Sequence, residues 1–287
     1  MPELKQTLDI LFFGDMVGRP GRRGVTWYLQ TLSDAEKPDV VIANVENASH
    51  GFGLTPKNYQ ELLDVGIDIM TGGNHIWDKK DLFQLVNEAE RLLRPANFPE
   101  NNAGIGAKVF EFDGFKVGVL NLIGQAFMGN YNSPWEKLEY WVPRLLAETP
   151  IVFIDFHGEA SAEKVAIARL ASTMGVSAFS GTHTHVQTAD DRILNGHMGY
   201  LTDTGFCGAY DSVIGMEPTV AIERMRTLYP EKLDVADASL VQVNATRFTV
   251  NAASGACMGI RRVNLVQDLQ DVTMTQPNSD KQTVSAN

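Results

Sequence analysis

Five short segments carry Asp, Glu, Asn or His side chains directly after, or at the end of, a stretch that predicts a buried strand. They are Gly14-Asp15, Asn44-Val45-Glu46-Asn47, Gly73-Asn74-His75, Asp155-Phe156-His157 and Gly181-Thr182-His183-Thr184-His185. In open α/β sheets, sites form just beyond the carboxyl ends of the strands, where loops bring distant residues together. We therefore expect these side chains to surround a single cleft.

The side-chain types indicate which metal such a cleft would hold. Carboxylate oxygen, amide oxygen and imidazole nitrogen, without thiolate, favour borderline or harder ions such as Fe, Mn or Zn. Cys207 and Cys257 are too few and too isolated for a structural zinc site. Six or seven ligands are too many for one open catalytic ion, but they fit two ions that share a bridging carboxylate, roughly 3.5–4 Å apart.

The elements that would position these residues follow from the pattern of apolar residues, caps and turn residues. The sequence predicts buried strands at Thr7–Phe13, Pro38–Asn44, Ile67–Met70, Ile151–Phe156 and Val176–Ser180. It predicts helices at about Gly21–Leu32, Thr55–Val65, Lys79–Ala89, Ser161–Ser172 and Glu217–Leu228.

Other stretches predict antiparallel pairs and loops. Asp113-Gly114 joins two strands, at 107–112 and 115–122, in a predicted hairpin. Residues 124–136 read as a loop, and 199–202 and 239–263 as strands, the latter broken near Ser254-Gly255. The order of elements predicts an α/β fold with helices on the faces of its sheets. We expect a single domain over residues 1–266 and a polar, flexible tail over 267–287.

Composition excludes several classes of protein. The chain has 287 residues, of which 44% are hydrophobic and 21% charged, so it is neither disordered nor fibrous over most of its length. No run of about 18 apolar residues predicts a membrane span, and two cysteines in a chain of this size suggest a reducing cytoplasm. The 24 basic and 35 acidic residues give a net charge of −11, which disfavours a stable complex with nucleic acid.

The segments resemble a known family. Gly-Asp, then Gly-Asn-His, then a single His, then Gly-x-His-x-His is the motif order of the calcineurin-like metallophosphoesterases. Three departures, Asp15-Met16-Val17, Glu46, and His75 followed by Ile-Trp-Asp, match the YmdB-like branch of bacterial phosphodiesterases. The fuller stretches at 14–22, 94–99 and 181–190 are also similar to that branch, and the resemblance covers about residues 8–265.

The resemblance implies a role for each motif residue. Asp15, Asn47 and His185 would hold one ion, and Asn74, His157 and His183 the other. Glu46 would bridge the two ions, and His75 would stay off the metals and donate a proton to the leaving oxygen. The implied fold is a four-layer αββα sandwich with mixed sheets, and the implied cofactors are two ions, Fe or Mn first and Zn as an option.

The implied activity is hydrolysis of small cyclic nucleotides, 2′,3′-cyclic or 3′,5′-cyclic, by attack of a metal-bridging hydroxide. A phosphomonoesterase, an RNA-processing nuclease, a metal-dependent amide hydrolase and a nucleotide-binding regulatory protein with incidental turnover stay open as alternatives. The expected partner is a small phosphodiester rather than a membrane, and the family suggests a homo-oligomer in the cytoplasm.

Each residue also has an ordinary structural explanation. Asn74 could be a left-handed turn residue, His75 a packed histidine beside Trp77, and His157 a satisfied core histidine, while His183 and His185 could lie on a surface turn. Substrate contact stays open for three arginines and one loop, namely Arg22, Arg23, Arg94 and residues 203–211. We expect solvated loops at His50 and His197 and a packed thiol at Cys207.

Overall fold

The computed structural model of the protein describes residues 5–270 and residue 272. The helices are α1 (Gly18–Thr31), α2 (Pro56–Asp64), α3 (Leu82–Leu85), α4 (Pro134–Leu146), α5 (Ser161–Thr173) and α6 (Pro218–Thr227). The strands are β1 (Thr7–Phe13), β2 (Asp15–Met16), β3 (Val40–Asn44), β4 (Ile69–Thr71), β5 (Ala107–Phe112), β6 (Phe115–Ile123), β7 (Val152–His157), β8 (Ala178–Thr182), β9 (Arg192–Leu194), β10 (Met198–Leu201), β11 (Phe206–Ala209), β12 (Leu240–Asn251) and β13 (Cys257–Asp268).

The strands form two mixed sheets. The first has seven strands in the order β2-β11-β12-β1-β3-β4, with β13 paired to β12. Within it β1, β3 and β4 are parallel, and β12 runs antiparallel to β1. The second has six strands in the order β5-β6-β7-β8-β10-β9, parallel from β6 through β10 and antiparallel at both ends.

Alternating side chains of the strands divide the core into layers, because neighbouring residues of a strand point to opposite faces. On β1, Leu8, Ile10 and Phe12 pack against the second sheet, where Phe12 meets Phe153 at a ring distance of 4.9 Å. Leu11 and Phe13 lie in a separate cluster with residues of α1 and α2. The outer face of the second sheet packs in the same way against α4 and α5. The layers are therefore helix, sheet, sheet and helix, which confirms the predicted four-layer αββα sandwich.

Helix starts follow the capping signals in the sequence. Thr55 accepts a hydrogen bond from the Asn58 amide, and Pro56 occupies the first position of α2, as predicted. The helix α4 lies outside the predicted elements, and its first three residues fall in the predicted loop at 124–136. Its start carries the same signal, because Ser133 accepts a bond from the Glu136 amide and Pro134 follows the cap. The pattern Ser-x-x-Glu, a capping box, would have located it.

The predicted helix at Lys79–Ala89 is wrong in length, since regular helix covers only Leu82–Leu85. The chain after it pairs instead with the edge of the first sheet. The Met70 amide donates to the Arg91 carbonyl at 2.7 Å, and the Leu93 amide donates to the Met70 carbonyl at 2.8 Å. These two bonds attach residues 91–93 to the edge strand β4.

The last strand reaches further than the sequence pattern indicates. β13 ends at Asp268, so the first two residues of the predicted tail belong to the sheet, and Leu269 is buried. The rest of the predicted tail, apart from 270 and 272, lies outside the described residues. Within the described part of the chain, no helix is both long and apolar enough to cross a lipid bilayer.

Candidate metal centre

One group of side chains converges on a single point. His157 Nε2, at the end of β7, lies 2.9 Å from Asn74 Oδ1 and 3.0 Å from His183 Nδ1. Glu46 Oε1 completes the group at 3.2 Å from His157 Nε2. Ligand atoms of Glu46, His157 and His183 fall within 4.8 Å of one another. The sequence-predicted second-ion residues are therefore gathered with the predicted bridging carboxylate.

The spacing of these atoms suits a metal ion. Two ligands at right angles, each about 2.1 Å from a metal ion, are about 3 Å apart. The distances around His157 Nε2 have that size. The group contains carboxylate oxygen, amide oxygen and imidazole nitrogen, a donor set that divalent ions of the Mn, Fe and Zn type accept.

The remaining predicted ligands lie beside this group but are more loosely arranged. Asp15 Oδ1 lies 3.9 Å from His185 Nε2, and Asn47 Nδ2 lies 3.4 Å from the same nitrogen. Asn47 Nδ2 also donates to Glu46 Oε1 at 3.2 Å, which links the two groups through the carboxylate. The structure thus brings all seven predicted ligands into one cluster.

The environment of the Asp15 carboxylate indicates whether a cation fits in the cluster. Its side chain is completely buried, and its Oδ1 atom has no hydrogen-bond partner among the described residues. Burial raises the pKa of this carboxyl, while His185 and His157 oppose the rise. A buried carboxylate oxygen without a donor is costly unless a cation approaches it. The residues present therefore fit a metal.

The field in the cluster also favours positive charge. Burial alone would raise the pKa of the Glu46 carboxyl, but the facing His157 ring lowers it to about 2. Burial lowers the pKa of the His157 ring, but the negative charge of Glu46 raises it, and the net result is a rise to about 9. Burial and the neighbouring His157 lower the pKa of His183 to about 3, which keeps its ring neutral, the form that binds metals.

Each predicted histidine ligand is oriented through its second ring nitrogen. His157 Nδ1 lies 3.0 Å from Thr182 Oγ1, His183 Nε2 3.2 Å from Glu159 Oε2, and His185 Nδ1 2.9 Å from the Ile214 carbonyl. A donated bond on that side leaves the opposite nitrogen with a free lone pair aimed at the cluster. An ordinary core histidine does not explain His157 fully, because three potential metal-ligand atoms, Asn74 Oδ1, His183 Nδ1 and Glu46 Oε1, surround its Nε2.

The loops that carry the ligands are held in unusual conformations. His183 has φ 100° and His185 has φ 63°, backbone values that residues other than glycine seldom adopt. Backbone of this kind persists where the surroundings enforce it, as they do at binding sites. At Gly73 an added Cβ would overlap Glu46 and His157, so glycine is required for the ligands to close around that point. Asn74 has no positive φ, which excludes the left-handed turn explanation for it.

His75 lies at the open edge of the cluster. Its amide donates to Glu46 Oε2 at 2.8 Å, and its ring Nδ1 lies 2.8 Å from Asp78 Oδ2. The ring packs edge-on against Phe52 at 4.9 Å, not against Trp77, and a third of the side chain is exposed. The bond to Asp78 leaves Nε2 to face solvent or a ligand.

Sequence reasoning missed the residues that support the ligands from behind. Asp155 accepts bonds from Thr71 Oγ1 at 2.6 Å, Asn44 Nδ2 at 3.0 Å and Thr182 Oγ1 at 2.8 Å. It thereby orients Thr182, the partner of His157. Asp155 and Asn44 belong to segments that the sequence singled out, but nothing in the pattern distinguishes a supporting carboxylate from a ligand.

A buried ion pair supports the loop of His183 and His185. Lys164 Nζ, on α5, donates to Asp203 Oδ2 at 2.6 Å and to the Thr182 carbonyl at 2.8 Å. Asp203 Oδ2 also accepts the amide of Thr184 at 3.1 Å. Lys164 and Asp203 are fully buried. The loop at 203–211 therefore borders the site through Asp203. In the sequence, the lysine on the apolar face of the predicted helix at 161–172 is the signal that indicates a buried ion pair.

The three arginines are largely engaged elsewhere. Arg94 is buried and donates to the carbonyls of Ala103, Pro95 and Asn102, so it has no free face for phosphate. Arg22 donates to Glu61 and to the Ala48 carbonyl. Arg23 donates to the Leu269 carbonyl. His50 is exposed and Cys207 is buried, as predicted.

Comparison with known proteins agrees with this geometry. Residues 11–263 match the model of the YmdB-like protein family. A 2′,3′-cyclic-nucleotide 2′-phosphodiesterase of Bacillus subtilis (strain 168) is 43% identical over 230 residues, which are 80% of this chain and 87% of that protein.

Two solved structures share the fold over nearly the whole chain. A novel phosphatase from Mycoplasma pneumoniae superposes with a TM-score of 0.85 at 32% identity, over 93% of this chain and 95% of that one. A hypothetical protein from Thermus thermophilus gives a TM-score of 0.84 at 32% identity, over 91% and 100%.

The fold and site define a phosphoric ester hydrolase of the metallophosphoesterase type, as the motifs predicted. The chain belongs to the YmdB-like family, and the predicted resemblance is confirmed.

Proposed function

We propose that this protein hydrolyses small cyclic nucleotides, with 2′,3′-cyclic species as the first candidates, at a site that holds two metal ions. The observation that carries the proposal is the convergence of Asn74, His157, His183 and Glu46, with the unpartnered Asp15 oxygen beside them. The 2′,3′-cyclic specificity named for the Bacillus subtilis relative favours this class of substrate.

Two ions at this site would activate water as a nucleophile and stabilise negative charge on the phosphoryl oxygens. Asp15, Asn47 and His185 would hold one ion, and Asn74, His157 and His183 the other, with Glu46 between them. Fe or Mn suits the oxygen and imidazole donors best, and Zn would also fit. Because the two carboxylates only partly neutralise two such ions, the cleft would attract a small anionic ester within an acidic protein.

His75 is proposed as the proton donor. Hydrolysis adds a hydroxyl group to phosphorus and breaks the bond to a ribose oxygen, which leaves poorly unless it receives a proton. The bond from the His75 amide to Glu46 fixes this residue beside the bridging carboxylate, and Asp78 holds its ring from the outer side. The ring nitrogen that remains, Nε2, is the one that would deliver the proton.

The substrate size follows from charge. The net charge of −11 opposes approach of a long polyanion, whereas a mononucleotide needs only local attraction. Homo-oligomeric assembly and a cytoplasmic location stay predictions.

The test is a side-by-side assay of protein purified without chelator. Its substrates are 2′,3′-cyclic AMP, 3′,5′-cyclic AMP, a phosphomonoester and short RNA, each with added Mn²⁺ and with EDTA. We expect the highest kcat/KM for a cyclic nucleotide and loss of turnover with EDTA. Preference for the monoester or RNA would assign one of the alternative activities, and stoichiometric nucleotide binding without product would contradict an enzymatic role.

A further inference from the structure

Phe127 occupies a position that the fold itself does not explain. Its side chain is 91% exposed, so the ring contacts almost nothing in the described part of the chain. Its backbone has φ 63°, in the left-handed region that bulky residues seldom adopt. It is the third residue of a tight turn in which the Met128 amide donates to the Gln125 carbonyl at 3.2 Å. Glycine or asparagine is the usual choice at such a position.

The turn is held firmly in place. The Gln125 amide donates to Glu163 Oε1 at 3.0 Å, and the Ala126 amide donates to Glu163 Oε2 at 3.2 Å. The Gln125 side chain donates to the Tyr131 carbonyl at 2.7 Å. Bonds on both sides of Phe127 therefore fix the direction of the turn, so the exposed ring is presented by an anchored loop.

The anchored loop begins beside the metal centre. It follows β6, whose last residue, Ile123, is paired with His157, and the Gly124 amide donates to the His157 carbonyl at 2.8 Å. Phe127 is three residues from Gly124, a reach of at most about 11 Å along the chain. That reach is comparable with the length of a mononucleotide.

Tyr131 is the second aromatic side chain of this loop. Its ring stacks on Phe98 at 5.2 Å. Burial raises the pKa of the Tyr131 hydroxyl, and the negative charge of Glu46 adds to that rise. The loop thus carries two aromatic side chains, Tyr131 stacked on Phe98 and Phe127 exposed at the turn.

We propose that Phe127 is a specificity residue whose ring stacks on the nucleobase of the substrate while the phosphate lies at the metal centre. The inference rests on the proposed function, because it requires a nucleotide in the cleft. An exposed aromatic ring suits any base, since every base offers a flat π-face. It would give preference for nucleotides over other phosphodiesters without strong selection among bases.

The experiment compares two substrates that differ only in the base. These are 2′,3′-cyclic AMP and 1-O-methylribose 2,3-cyclic phosphate, which lacks a base, assayed with wild type and with Phe127→Ala, Phe127→Gly and Phe127→Trp. We expect Ala and Gly to lower the ratio of kcat/KM, nucleotide over abasic substrate, by about 5- to 150-fold, mostly through KM. Trp should keep the ratio near that of wild type.

Phe127→Gly is the control for misfolding, because glycine adopts the observed φ without strain. Its Tm should equal or exceed that of wild type. An unchanged ratio in Ala and Gly, with an active wild type, would overturn the role of Phe127. A shift in elution volume on gel filtration, with the ratio unchanged, would assign the ring to contact between copies and also overturn it. Failure of wild type on both substrates would instead contradict the proposed function.

Discussion

The two halves of the candidate metal centre are assembled to different degrees. Around His157 Nε2 the neighbouring ligand atoms lie at 2.9 to 3.2 Å, whereas His185 Nε2 lies 3.4 Å from Asn47 and 3.9 Å from Asp15. The first half uses the end of a central strand, β7, and a glycine-lined turn. Each half also takes one left-handed histidine from the loop after β8, His183 in the first and His185 in the second. The second half adds Asp15 of β2 and the side chain of Asn47, whose amide nitrogen donates to Glu46.

The difference shows how much order each half has before an ion binds. Ligand atoms that already lie at the spacing of a bound ion need less rearrangement when the ion binds. The half around His157 should therefore bind its ion more tightly, and the half around His185 should tolerate change better.

The largest effect is expected from His157→Ala. Removing the central ligand leaves Glu46 without its partner and removes electrostatic stabilisation of the transition state, so turnover should fall by at least about 10²–10³-fold. Elemental analysis should show fewer ions per chain than in wild type. His197→Ala, which changes a histidine outside the cluster, is the matched control and should keep metal and activity. Retention of full metal content by the His157 variant would contradict the assignment.

A similar loss of turnover, with a different cause, is expected from His75→Ala. Loss of a general acid should lower kcat by roughly 10²–10⁴-fold while both ions stay bound, because His75 contributes only its amide to Glu46. Asp78→Asn, which changes the ring's partner, should have a smaller effect of the same kind. Steady-state kinetics with metal analysis checks this, and an unaltered kcat in the Ala variant would exclude His75 as the acid.

His185→Ala sharpens the contrast between the halves. Because this ligand belongs to the looser set, we expect weaker binding of one ion and activity that recovers when Mn²⁺ is raised. The same titration should not restore His157→Ala. Equal responses of the two variants would show that the observed spacing does not reflect metal affinity.

Lys164→Met tests the support of the histidine loop. It leaves Asp203 buried without its cation, a change that destabilises proteins by about 3–5 kcal/mol. Chemical denaturation should show the loss, and metal affinity should fall with it, since Asp203 holds the loop at Thr184. Lys37→Met, at an exposed pair with Asp34, is the control and should behave like wild type. Unchanged stability and metal affinity in Lys164→Met would show that the ion pair does not support the histidine loop.

The smallest effect is expected at Cys207. Its β11 neighbour Phe206 pairs with Asp15, yet burial raises the pKa of its thiol to about 12. At pH 8 the thiolate fraction is then about 10⁻⁴, far below that of an ordinary thiol. Alkylation of native protein should be slow and should become fast in denaturant, and Cys207→Ala should keep kcat. Rapid modification with loss of activity in native protein would contradict this.

Much of the fold and the site could be predicted because the motifs join directly to buried strands. The position of His157 at the end of β7 and of Asp15 shortly after β1 follows from the end of an apolar run. The helix α4 was missed despite the cap at Ser133, and Lys79–Ala89 was predicted too long because pairing of 91–93 with Met70 is a tertiary contact. Asp155 and Lys164 were missed as supports, because only the folded chain shows which buried polar groups face each other.

Anomalous diffraction from crystals of the wild-type protein soaked with Mn²⁺ would test directly whether the cluster around Glu46 binds two metal ions. We expect two peaks roughly 3.5–4 Å apart, one on each side of Glu46, the first near His157 and His183 and the second near Asp15 and His185. A cluster without peaks, or ions bound only elsewhere on the protein, would contradict it.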